Sequence, residues 1–81
     1  MAIVTLSADL QRYAGGIREL EVSACKYQDL VIELRQRFPD ITQDIINKQA
    51  IAINGMVFQT PMLETFDKNS ELVFITRIAG G

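Results

Sequence analysis

Apolar and polar residues alternate from the start of the chain. Ala2, Val4, Leu6 and Ala8 fall on one side of an extended segment, and Ile3, Thr5 and Ser7 fall on the other. This predicts a strand over 2–8. Gly15-Gly16 then breaks the pattern, as a turn that needs positive φ. The two-residue period returns over 17–23: Leu20 and Val22 share a side with Arg18, while Ile17, Glu19, Glu21 and Ser23 take the opposite one. The two segments suit an antiparallel hairpin with a long loop.

The period changes further on. Leu30, Val31, Leu34 and Phe38 make one apolar stripe at helical spacing, which predicts a helix over 29–38. Asp29 is the expected N-cap. Arg35 and Arg37 stand in the last turn, where the helix dipole favours cations. Pro39 ends the helix, because it disfavours helical geometry at Phe38. The β-branched pair Val31-Ile32 makes this helix depend on packing more than on propensity. Residues 40–48, with Ile41, Ile45 and Ile46, fit either a short helical turn or a connector. Strands follow over 50–53 and 56–58, joined by Asn54-Gly55, the strongest hairpin signal in the chain. Residues 61–70 read as a polar loop that contributes Met62, Leu63 and Phe66 as satellites of the core. The last strand spans 71–78. Leu72, Phe74, Thr76 and Ile78 alternate with Val73, Ile75 and Arg77, and apolar residues on both sides place it centrally in the sheet. The order β-β-α-β-β-β predicts an α+β roll, with the helix covering one sheet face and the last strand parallel to the first.

Composition narrows the function. The chain has 81 residues, 48% of them hydrophobic and 22% charged, enough for one domain with a modest core and too apolar for a disordered segment. The domain is expected over 1–78, with 79–81 as a flexible C-terminal tail. There is no His and one Cys. The commonest general base and metal ligand is therefore missing, and no CxxC site or disulfide framework is available within the chain. A net charge of −2 argues against nucleic acid as a partner, because phosphate binding needs a basic face. The N-terminal stretch lacks a basic region and a long apolar run, and no segment approaches membrane-spanning length. The expected setting is soluble and cytoplasmic, without a membrane partner.

Few side chains invite chemistry. Cys25 has no His to activate it, so it reads as a small residue between strand and helix. Glu19 and Glu21 share a strand side and read as a solvated face. No cluster has metal-ligand spacing. Met56, Val57, Phe58 and Ile75 fit either core filling or an exposed apolar patch, and a leftover patch marks a partner surface. The end of the chain is more telling. Glycine gives a terminus nothing to pack, yet Gly80-Gly81 lets a backbone and its carboxylate thread a narrow passage in another protein. Residues 77–81 reach roughly 17 Å when extended. The reactive group would then be the α-carboxylate of Gly81, a poor electrophile that needs activation with ATP by a partner.

The chain resembles the ubiquitin-like β-grasp sulfur carriers, such as the small subunit of molybdopterin synthase and the thiamine-pathway carrier, over essentially its whole length. The stretch from Ala8 to Gly16 is similar to the family's first loop, and Asp29-Leu30-Val31-Ile32-Glu33-Leu34 to the start of its helix. Ile51-Ala52-Ile53-Asn54-Gly55-Met56-Val57 is similar to its V-x-V-N-G hairpin. Glu71-Leu72-Val73-Phe74-Ile75 and Ala79-Gly80-Gly81 are similar to its last strand and tail. The chain departs from the family at Asn69-Ser70, where Gly-Asp is usual, and at Thr76-Arg77-Ile78, where the family is often Pro-rich.

The resemblance implies a β-grasp roll and a role as a carrier, not an enzyme. Gly81 would be adenylated by a ubiquitin-activating-like adenylyltransferase and converted to a thiocarboxylate. That group would donate sulfur, through a sulfur-acceptor synthase subunit, to biosynthesis of a cofactor of the molybdopterin type or another metabolite. Gly80 would be the spacer, and Val57 and Ile75, with Phe58, the partner-facing patch. No catalytic side chain, metal or cofactor belongs to the carrier itself. A ubiquitin-like modifier joined to other proteins through Gly81, and a β-grasp interaction domain with an incidental Gly-Gly, are the alternatives.

Overall fold

The computed structural model describes residues 1–59, 61 and 63–77. Strand β1 (Ala2–Thr5) pairs antiparallel with β2 (Glu19–Val22), as the alternation predicts. The connection between them is not only a loop. It contains a short helix, α1 (Ala8–Tyr13), which cuts the first strand short of the predicted residue 8. Ser7 caps it by accepting from the Leu10 amide, and the only buried residue it contributes is Leu10. One apolar position per turn was too little signal for a helix. Gly15 and Gly16 end it at φ 66° and 85°, with the Gly16 amide donating to the Gln11 carbonyl at 2.9 Å. This is a left-handed C-terminal cap, closed by residues without Cβ.

The main helix, α2 (Tyr27–Arg37), starts two residues earlier than its apolar stripe suggests. Asp29 is therefore in the first turn, facing the dipole, and Lys26 holds the cap position without a side-chain hydrogen bond. The distant loop takes over the capping: Tyr27 donates its amide to the Glu64 carbonyl at 3.0 Å, and Phe66 donates to the Cys25 carbonyl at 2.9 Å. The ambiguous stretch forms a short helix, α3 (Gln43–Asn47), with Thr42 as its N-cap.

Strands β3 (Gln49–Ile53) and β4 (Met56–Phe58) form the predicted hairpin. Asn54 and Gly55 turn it at φ 51° and 87°, both in the left-handed region that a tight hairpin turn requires. The last strand, β5 (Glu71–Thr76), lies parallel to β1 and antiparallel to β3. The five-stranded sheet has the order β2-β1-β5-β3-β4, so β5 is its middle strand, as expected. The predicted strand residue Ile78 lies outside the described residues.

One face of the sheet carries the core. Val4, Val22, Ile51, Ile53, Leu72 and Phe74 meet Leu10 of α1, Leu30, Val31 and Leu34 of α2, and Ile46 of α3. Phe66 joins this core, but Leu63 is 84% exposed and contributes nothing to it. Met62 lies outside the described residues. Among the described residues no helix is long and apolar enough to cross a membrane.

Candidate functional site: the bare sheet face and the end of the last strand

Residues directly opposite on paired strands point to the same side of a sheet. One row therefore crosses all five strands on the side away from the helices: Glu19, Thr5, Val73, Ala52 and Val57. The next row toward the start of β5 contains Glu21, Ile3 and Glu71. The row toward its end contains Ile75 and Ala50. Ala50 and Ala52 are buried, yet neither belongs to the core cluster. Their small side chains sit low between larger outer neighbours, while the buried side chains of the helices join the core on the other face.

Two of the three expected patch residues stand on this outer face. Val57 is 54% exposed and Ile75 40%. The third does not. Phe58 is opposite Ile51, which is opposite Phe74, and both of these are core residues. Phe58 packs half-buried against them, since alternation sends neighbours on a strand to opposite faces. The outer surface gains Ile3, 46% exposed, and Val73. Both were visible in the alternation, but their place beside the patch depends on the β1–β5 pairing.

Two short helices flank the end of β5. Thr76 donates its hydroxyl to Asp9 of α1 at 3.3 Å. Arg77 donates its amide to the Lys48 carbonyl at 3.0 Å and its guanidinium to the Asn47 carbonyl at 3.2 Å. The second contact puts a cation at the C-terminal end of α3, where the dipole is negative. The strand therefore leaves the sheet tethered on two sides. The predicted adenylation residue Gly81 and its spacer Gly80 lie outside the described residues.

Cys25 is exposed, and its thiol donates to the Ser23 carbonyl at 3.9 Å. The nearby Glu33 carboxylate is occupied locally. It accepts from the amides of Ser23 and Ala24 and from the Ser23 hydroxyl, at 3.1–3.3 Å, and so ties α2 to the end of β2. Among the described residues no group of three Cys, Asp or Glu side chains could hold a metal ion.

No protein-family model and no curated protein sequence matches the chain. Solved structures do, two of them modifier proteins. The small archaeal modifier protein 1 of Methanosarcina acetivorans matches with a TM-score of 0.75 at 22% identity, covering 99% of this chain and 95% of its own. Its namesake from Haloferax volcanii matches with a TM-score of 0.63 at 20% identity, covering 99% and 98%. At these identities the correspondence establishes the fold: the chain is an α+β, ubiquitin-like β-grasp roll, similar in architecture along its length to these two modifier proteins.

Proposed function

We propose that the chain is a protein carrier activated at its own C-terminal carboxylate, with sulfur as the cargo. A ubiquitin-activating-like adenylyltransferase joins the Gly81 carboxylate to AMP from ATP and releases pyrophosphate. A sulfur nucleophile supplied by that system then displaces AMP, leaving a thiocarboxylate. The loaded terminus passes its sulfur to an acceptor synthase subunit, in biosynthesis of a cofactor of the molybdopterin type. Gly80 and Gly81 supply a backbone that enters a narrow channel, and the adenylyltransferase supplies the catalytic groups. Val57 and Ile75 are the contact patch.

The observation that carries this reading is the position of β5. It is the middle strand of a β-grasp sheet, and its last described residues are tethered to α1 and α3. The chain beyond Arg77 thus starts from a fixed point beside an exposed apolar patch. The test is intact mass after incubation with ATP, a sulfur source and the adenylyltransferase. A gain equal to one oxygen-to-sulfur exchange is expected, with thiocarboxylate chemistry at Gly81.

A second reading, attachment through Gly81 to lysines of other proteins, is favoured by the names of the two structures the fold matches, both modifier proteins. It predicts higher-mass conjugates on a gel in place of the mass gain. A chain that gives neither product is an interaction domain with an incidental Gly-Gly, and both readings are then wrong.

A further inference from the structure

The middle strand carries opposite charges at the two ends of its outer side. Glu71, Val73 and Ile75 of β5 point away from the helices. The ladder continues one step further to Arg77, whose amide donates to the Lys48 carbonyl at 3.0 Å in the β3–β5 register. The outward series is therefore acid, apolar, apolar, base. Read from the other end it is the same series with the charges exchanged. Neighbouring strands reinforce both ends. Glu21 lies across Ile3 from Glu71, and Lys48 lies beside Arg77. All four charged residues are exposed. Among the described residues none of the four belongs to an ion pair; the two pairs present join Arg12 to Asp9 and Arg37 to Glu33.

We propose that the chain self-associates through this face, two copies meeting sheet to sheet about a twofold axis between Val73 and Ile75. The axis lies in the plane of the contact, so the two β5 strands cross antiparallel. Val73 of each copy then faces Ile75 of the other, and Glu71 of each faces Arg77 of the other. Glu21 and Lys48 extend the acidic and basic ends. The small side chains of Ala50 and Ala52 let the sheets approach to the ordinary distance of about 10 Å. The charge order selects this occupant. The phosphates of a nucleic acid or an anionic membrane would be attracted at one end and repelled at the other. A second copy meets both ends with the opposite sign, twice over by symmetry. Four strand spacings span about 19 Å, and Glu71 to Arg77 spans about 20 Å. Each copy therefore offers on the order of 400 Å2, less than a standard interface, which sets a weak and reversible contact with a Kd on the order of 0.1–1 mM. Nothing in this contact depends on how Gly81 is used.

The test is sedimentation equilibrium of the full chain from about 10 μM to about 1 mM, at low and high salt. The average mass of the wild type should rise from that of one chain toward that of two, and added salt should oppose the rise. Glu71→Arg makes both ends basic, and Arg77→Glu makes both ends acidic. Each variant alone should associate about tenfold more weakly than wild type. An equimolar mixture of the two should recover the wild-type curve, because each facing pair of positions 71 and 77 is then complementary. Melting checks that both variants fold. A second measurement needs no variant: on dilution of the wild type, the amide signals that move in an NMR spectrum should cluster at Val57, Val73 and Ile75. Several results overturn the proposal. These are a wild type that stays monomeric throughout, association that salt leaves unchanged, variants that associate as wild type does, a mixture no better than its components, or shifts confined to the helical side.

Discussion

Ser7 donates its hydroxyl to the Gln49 side-chain oxygen at 2.6 Å, and both residues are buried. The same Ser7 oxygen accepts from the Leu10 amide at 3.3 Å. One hydroxyl thus caps α1 and fastens it to the start of β3, next to the strand end from which the tail departs. Ser7→Ala removes the cap and leaves a buried amide oxygen without its donor. The expected loss is about 1–3 kcal/mol, read from the urea midpoint. Ser7→Ala/Gln49→Leu should recover part of it, because an apolar pair leaves no polar group unpaired. Additive losses in the double variant would show that the two side chains do not work as a pair.

Phe58 and Val57 are neighbours on β4 with opposite duties. Phe58→Ala removes a half-buried ring from the core and should cost roughly 1–3 kcal/mol, less than the loss of a fully buried ring. Val57→Asp and Ile75→Asp change exposed positions and should alter stability by about 1 kcal/mol or less. Both should nevertheless weaken association with the adenylyltransferase by about tenfold or more. Melting curves and binding on the same samples separate the two effects. Unfolding by Ile75→Asp would assign that residue to the core.

Much of this architecture is written in short-range pattern. Asn54-Gly55 fixes a hairpin because both residues accept positive φ, and Asn54 adds a link that no local rule predicts. Its side chain accepts from the Glu71 amide at 2.9 Å and donates to Ser70 at 3.3 Å. Both sides of β5 are apolar, so the pattern places the strand centrally without saying which side is core; the β1 and β3 pairings put Leu72 and Phe74 there. The failures are of two kinds. Helix α1 has too few turns to show a period, and its stop at Gly15-Gly16 looks the same as a loop. The start of α2 depends on Glu64, a partner far along the chain. The candidate face was half legible. Val57 and Ile75 can be named from the family motif, and Phe58, as the neighbour of Val57 on one strand, must face the other way by alternation alone.

Tyr27 should give the protein an alkaline limb. Its ring lies against Phe74 at a centroid distance of 6.5 Å, and burial raises its hydroxyl pKa above the ordinary tyrosine value. The neutral phenol is therefore favoured in the folded state. Below about pH 9 both states hold the proton and the group adds no pH dependence. Above about pH 10 the unfolded chain releases it first, so stability falls as pH rises, until the folded protein ionises too. Tyr27→Phe should flatten this part of the curve relative to wild type, in urea midpoints taken between neutral and strongly alkaline pH. Parallel curves for the two proteins would exclude Tyr27 as the cause.

The length of the tail should matter more to loading than the only thiol in the chain. If the Gly81 carboxylate must reach a fixed activating centre from the tether at Arg77, its distance along the backbone is set by residue count. Deleting Gly81 draws the carboxylate back by about 3.5 Å, and an added alanine advances it equally while putting a methyl group in the channel. A misplacement of even ~1 Å can cost on the order of a hundredfold in rate, so both variants should be nearly silent in the intact-mass assay. Melting should match wild type, because a chain terminus adds little to stability. Cys25→Ser should load at the wild-type rate, because Cys25 is exposed, its thiol meets a backbone carbonyl, and the sulfur is carried on the terminus. An alanine-extended chain that loads as fast as wild type without trimming, or a Cys25→Ser chain that fails to load, would move the chemistry away from Gly81.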